Sequence, residues 1–298
     1  MGKGESPTHT ETIPPLLGRA LLLQLRPASR LTWVGAGWAA VCGSVAAGAL
    51  DISLHTLVQL GLMVVLVDPV LGAVWTALPG LGKPSLVRQS DGDHPHLTTT
   101  YRRQLTEIGV LYALALLLGV TLGPGVAVVV AVGLFLPLVV WFAAGGYPLR
   151  DGWTRAVLEI GVPWTIGLAA FASLPEVNLG GLSGLALSAV YWTGEHALAL
   201  LVGLLFVVAY YGQLTLDQPL VFVRHRAVVT LPQLAAVVLL VAWHEPILAG
   251  AVAILVLAQM LFQPYLGRHR IRWYLRTTQW MFLGAMLLTA IGVAPWGQ

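Results

Sequence analysis

Long apolar runs separated by short polar stretches set the pattern of this chain. About nine of them approach the ~20 residues an α-helix needs to cross a bilayer. They fall at roughly 31–50, 54–80, 105–122, 125–146, 155–173, 184–211, 229–243, 247–264 and 275–293. The sixth carries a candidate break at Gly194-Glu195. Ahead of them, residues 1–13 read as a polar tail, and 16–26 (LLGRALLLQLR) is too short to span and ends on Arg26. That segment is expected to lie on the membrane surface as a helix. The chain therefore divides into a cytoplasmic tail with an interfacial amphipathic helix at 1–30 and a nine-helix transmembrane domain at 31–298. The opening MGKGESPTHTETIPP is too polar and proline-broken for a signal peptide.

Composition supports that division. Hydrophobic residues make up 57% and charged residues 10%, against roughly 25% charged in soluble domains. Too few charges are present for a water-facing surface, so the fold class is an all-α polytopic membrane protein. The 33 glycines suit helices whose backbones approach closely in lipid. Cys42 is the single cysteine, which rules out a disulfide framework.

The charges orient the bundle. Lys3, Arg19, Arg26 and Arg30 precede the first run, and Lys83, Arg88, Arg102 and Arg103 follow the second. Arg150 and Arg155 follow the fourth, Arg224 and Arg226 the sixth, and Arg268, Arg270, Arg272 and Arg276 the eighth. All 16 Lys and Arg residues thus fall on one side of an up-and-down arrangement. The opposite loops hold Asp51, His55, Glu176, Glu195, His244 and Glu245. Basic loops face the cytoplasm, so the N-terminus is expected inside the inner membrane and the C-terminus outside. The same rule accounts for the pI near 9.2 without nucleic acid.

The polar stretch 206–232 leaves an apolar run at Tyr210-Tyr211, passes Gln213, Thr215 and Asp217, and reaches Arg224-His225-Arg226. It marks a polar pocket at one face of the bilayer. Around it lie Arg26-Pro27, Trp33, Trp38 and Cys42-Gly43, then the loop Tyr147 to Trp153 (YPLRDGW) and Gly161-Val162-Pro163-Trp164. Gly212 to Asp217 (GQLTLD), Ala258-Gln259, Trp273-Tyr274 and Gly284-Ala285-Met286 follow in order. This ordered set resembles the UbiA-type intramembrane prenyltransferases, and within them the (bacterio)chlorophyll synthases. The resemblance implies a UbiA-like bundle and a cavity shaped for an isoprenoid tail and a flat macrocycle. It also implies Mg²⁺ held by two Asp-rich motifs after helices two and six. Mg²⁺ takes octahedral oxygen ligands from carboxylates and substrate phosphates and neutralises the departing diphosphate.

The sequence departs from that family at those motifs. With Asp68 as the first acid, the next positions are Leu71 and Trp75; a register set on Pro69 falls near Pro79-Gly80 and holds no acid. Asp217 remains in the second motif, followed by Val221-Phe222-Val223 and the basic cluster. Asp68 itself is a functional candidate because a carboxyl in the bilayer is costly, or it bonds a neighbouring helix. Asp217 either orients its loop or binds metal. Asp91-Gly92-Asp93, beside His94 and His96, is a metal candidate or a solvated turn. His55, His196, His225 and His244 are candidate axial ligands for a chlorin, or ordinary interfacial residues. Trp75, Trp141, Trp164 and Trp192 are candidates to line a groove, or members of the aromatic belts.

Three readings follow. The first is a non-catalytic membrane subunit that binds bacteriochlorophyll, carotenoid or another isoprenoid lipid, with other membrane subunits of a photosynthetic reaction-centre or light-harvesting complex as partners. The second is an active, Mg-dependent prenyltransferase using Asp91, Asp93 and Asp217, with Arg150 and Arg224 on the diphosphate. The third, a transporter using Asp68 and Glu195, lacks the inverted repeat such folds often carry.

Overall fold

In hydrocarbon no water is present to bond a free backbone, so each apolar run must satisfy its own N–H and C=O groups, and the helix is the solution. The computed structural model describes residues 35–49, 53–75, 95–143, 152–172, 196–216, 222–263 and 271–295. Among them lie nine helices: α1 (Ala36–Ala46), α2 (Leu54–Trp75), α3 (Pro95–Leu122), α4 (Pro124–Ala143), α5 (152–171), α6 (Ala197–Thr215), α7 (Phe222–Ala242), α8 (Pro246–Phe262) and α9 (Ile271–Val293). Each overlaps one of the nine apolar runs. Three helical stretches, Leu54–Trp75, Leu105–Leu122 and Ala197–Thr215, are by themselves long and apolar enough to cross a bilayer.

Several boundaries differ from those read from hydropathy. Helix α3 begins ten residues ahead of the expected 105 and takes in His96, Arg102 and Arg103. Helix α7 begins at Phe222, so Arg224-His225-Arg226 is helical rather than a loop. Helix α5 starts at Gly152, within the stretch taken as a loop. In each case the helix extends beyond its hydrocarbon stretch through polar residues, which hydropathy does not register.

Local chemistry sets the helix ends. Ser53 caps α2 by accepting from Thr56 N at 3.2 Å. Gly48, at φ +93, closes α1 in a Schellman turn, with Ala49 N on Ser44 O at 3.0 Å and Gly48 N on Val45 O at 2.9 Å. Gly123-Pro124 separates α3 from α4.

Each helix packs on its neighbours in sequence, and α9 returns to α1, closing a ring. Helix α1 also packs extensively on α5. There the backbones touch: a Cβ on Gly43 would lie 2.0 Å from Trp164 O, and one on Gly167 would lie 1.9 Å from Ala40 O. The helices alternate in direction. Gly152 at the start of α5 sits by Thr215 and Tyr211 at the end of α6, and Phe262 ending α8 meets Trp273 beginning α9. At the other end, Gly48 meets Pro295, and Gly292 meets Leu240 and Leu248. The ends that adjoin the Lys- and Arg-bearing segments therefore share one face of the bundle. Outward positions are apolar, among them Phe135, Val238 and Ile254, each about two-thirds exposed. Such a surface belongs in lipid, and the chain is a helical membrane protein.

Candidate functional site

Polar side chains are distributed unevenly inside the ring. Among the described residues, seven of the ten buried polar ones occupy the helix halves nearest the basic face, namely Thr154, Gln213, Thr215, Thr230, Gln259, Thr278 and Gln279, while Gln233 lies at the middle of α7. Ser44 and Thr289 are the other two. Unlike hydrocarbon, this polar layer can recognise a ligand.

One part of the layer is an ion-paired network. Glu159 Oε1 accepts from Arg155 Nε at 2.7 Å, and Glu159 Oε2 accepts from the hydroxyl of Tyr210. Glu159 lies in a widened π-type turn, Val157–Gly161, just ahead of Pro163. Proline has no N–H to donate to the carbonyl four residues back and its ring crowds that group; a π turn absorbs the mismatch. The fully buried Tyr210 ring lies 6.4 Å from Phe282, which meets Phe206 edge-on at 5.6 Å. Elsewhere in the layer, Gln233 and Gln259 bond each other through both amides, at 3.2 and 3.0 Å.

A second π turn, Leu66–Leu71, contains Asp68-Pro69. The Asp68 carboxyl lies against Gly37, where an added Cβ would be 3.3 Å from Oδ2. Asp68 lies seven positions, about 10 Å of helix, before Trp75, the last described residue of α2. Leu71 and Trp75, which follow Asp68 in the motif register, are buried in apolar packing, and Trp75 Nε1 donates to Gly133 O at 3.3 Å. Residues of this kind do not fit a magnesium cradle.

On the lipid side, α4, α5 and α6 frame an open apolar groove of about 380 Å³. Val128, Val132 and Leu136 form one wall, Leu200, Leu204 and Val207 the other, and Gly161, Trp164 and Gly203 lie between. Trp164 is 1% exposed, donates Nε1 to Ala199 O at 3.0 Å and stacks on Phe206. The nine residues of α4 from Val128 to Leu136, eight helical rises, give the groove a length of about 12 Å.

The other candidates from sequence are scattered. His55 is exposed near the start of α2, His196 is half-buried ahead of α6, and His244 is exposed after α7, all at the end opposite the basic face. His244 carries φ 68. Arg224 and His225 occupy the first turn of α7, and Trp141 lies in α4. Asp91, Asp93, Arg150, Trp192 and Asp217 fall outside the described residues, as does the 1–30 segment. The sequence reading overlooked Glu159, though it signalled itself as an acid within an apolar run, four residues after an arginine and four before a proline.

Over 294 aligned residues the chain is 27% identical to a protein of Chloroflexus aurantiacus described as the bacteriochlorophyll synthase 34 kDa chain. The likeness is to a pigment synthase. It covers 89% of this chain and 87% of the synthase, so it follows the whole bundle rather than one segment. No family model and no solved structure matches the chain. Similarity of this extent supports a prenyltransferase-like origin.

Proposed function

We propose that the protein is a non-catalytic relative of bacteriochlorophyll synthase, a membrane subunit that holds a chlorin, carotenoid or other isoprenoid without joining tail to ring. The observation that carries this reading is what occupies the positions after Asp68. Leu71 and Trp75 are committed to the core, where a metal-dependent transferase needs carboxylates. The lipid-facing groove supports the binding half of the proposal. It is apolar and faces lipid, and suits part of a chain that enters sideways from the bilayer.

The protein sits in the inner membrane with all nine helices spanning, its N-terminus and basic face cytoplasmic. Its partners are other membrane subunits of a photosynthetic complex; the relative's role in making bacteriochlorophyll supports that setting. An absorption spectrum of the protein purified in mild detergent tests the reading. Pigment or isoprenoid at near-stoichiometric level is the expected result, together with co-purifying membrane chains. The competing outcome is Mg²⁺-dependent transfer from geranylgeranyl or phytyl diphosphate, abolished by Asp217→Ala, which would return the protein to the synthases.

A further inference from the structure

The lipid-facing side of α9 is not uniformly apolar. Trp273, Arg276 and Trp280 are exposed on it, three and four residues apart, so they line up as one stripe. Tyr274, Leu275, Thr278 and Phe282 turn the other way and are buried. Trp273 is 47% and Trp280 66% exposed, and Phe262 at the end of α8 meets Trp273 edge-on at 5.9 Å. Arg276 stands five residues into the helix, about 7.5 Å from its start at the basic face, and Trp280 lies about 6 Å deeper. The 23 residues of α9 make a rod of about 34 Å against a hydrocarbon core of about 30 Å. The stripe therefore crosses from the headgroup zone into hydrocarbon, and the long arginine can carry its charge back to the boundary.

The surrounding protein supplies no acid to this charge. From residue 246 to 298 the chain carries Arg268, Arg270, Arg272 and Arg276 and neither Asp nor Glu. The helices packed most closely on α9, namely α1, α6, α7 and α8, contain no acid either. Arg155, by contrast, is met by Glu159 four residues on in its own helix. The counter-charge for Arg276 has to come from outside these helices, and on the lipid side the anion at that depth is a headgroup. Guanidinium and indole groups only donate, and the hydroxyl of Thr277 is already given to Trp273 O at 3.0 Å. A set of donors alone suits phosphate oxygens, two of which a guanidinium can take side by side.

We propose that Trp273, Arg276 and Trp280 bind one anionic phospholipid of the leaflet at the basic face. Its phosphate lies on the guanidinium and the Trp273 indole N–H, and one acyl chain runs along Trp280. A zwitterionic headgroup offers the same phosphate but brings a cation of its own beside four arginines, so the net negative lipid is preferred. This site is independent of what the ring holds.

The test titrates the full-length protein, purified in mild detergent, with phosphatidylglycerol or phosphatidylcholine and counts bound lipids by native mass spectrometry. A basic residue near a membrane surface contributes about 1 kcal/mol toward anionic lipid, or about fivefold in affinity. Arg276→Gln should therefore weaken the tightest phosphatidylglycerol about fivefold and leave phosphatidylcholine nearly unchanged. Arg276→Lys keeps the charge, should retain most of the preference, and decides the matter if the glutamine variant does not fold. Trp273→Leu should weaken phosphatidylglycerol by a smaller factor. Trp243→Leu removes a tryptophan that is 52% exposed at the opposite end of the bundle and should have no effect. Equal affinity of the wild type for the two lipids, phosphatidylglycerol binding unmoved by Arg276→Gln, or a loss at Trp273 no greater than at Trp243 overturns the site. Release of a co-purifying chain by Arg276→Gln with lipid binding unchanged overturns it too, and gives the stripe to an acidic protein partner.

Discussion

The two halves of the bundle are built on different principles. Away from the basic face, α1 and α5 cross with glycines and alanines between them, and contact there is backbone on backbone. Toward the basic face the ring buries amides and hydroxyls and carries a half-buried ion pair. Lipid tails are as apolar as leucine, so burying hydrocarbon does little to hold membrane helices together; close packing of small residues does more. The glycine crossing is therefore the structural half. Buried polar groups are costly unless bonded, and the same volume could be filled with leucine, so on the function proposed above the polar layer is the half given to binding.

The largest expected effect tests the structural half. Gly167→Ala would place a methyl 1.9 Å from the Ala40 carbonyl, and Gly43→Ala one 2.0 Å from that of Trp164. Backbone cannot step aside as a side chain can, so each should cost about 3 kcal/mol, at the upper end of overpacking penalties. Gly61→Ala and Gly250→Ala, with nothing within 4 Å, serve as controls and should be neutral or gain up to about 1 kcal/mol. Thermal unfolding in detergent measures all four. Equal losses at all four positions would show that the crossing is not special.

The next effect belongs to the polar half. Tyr210→Phe keeps the ring against Phe282 and removes the hydroxyl that donates to Glu159. The expected loss is about 2 kcal/mol, the range for a hydrogen bond to a charged group. Arg155 contributes less, because its side chain is 39% exposed and solvent screens the pair. In a cycle with Glu159→Gln, a coupling near zero would mean that Tyr210 and Glu159 act separately.

The amide pair gives a smaller and more diagnostic result. Gln233→Leu leaves Gln259 without its side-chain partner and should cost about 1.5 kcal/mol. Adding Gln259→Leu should restore most of that loss, since the two leucines leave nothing unbonded. A double variant worse than either single one would mean that the pair is needed for stability, and the contrast between the halves would weaken.

The helices were legible in the sequence because hydropathy and membrane spanning answer to one physical demand, backbone satisfaction in hydrocarbon. Their polar extensions were not, and α7 shows why: Arg224-His225-Arg226 is helical, yet nothing in hydropathy distinguishes a charged first turn from a loop. The two π turns were readable in principle, since Pro69 and Pro163 each sit in an apolar run near an acid. Glu159 lies outside the two stretches, after helices two and six, where the resemblance places metal-binding acids, so that resemblance does not single it out. Gln279 had no sequence signature at all. A glutamine in a membrane helix is unremarkable until its neighbours are known, and its burial exists only in three dimensions.

His244 separates strain from function at the end opposite the polar layer. It holds φ 68 in the turn between α7 and α8, with Glu245 N on Leu240 O at 2.9 Å and His244 N on Val241 O at 3.1 Å. Glycine fills this position in the equivalent turn after α1, at Gly48. A left-handed conformation costs a side-chain-bearing residue roughly 1–2 kcal/mol, so His244→Gly should stabilise the fold by about 1 kcal/mol, offset in part by the freedom glycine gains when unfolded. If the imidazole serves only as turn punctuation, the glycine variant melts higher and keeps its ligand. If the strain is kept because the exposed imidazole binds a chlorin metal, the variant melts higher when stripped but loses pigment and its absorption band. That result would place the binding centre at the face opposite the polar layer.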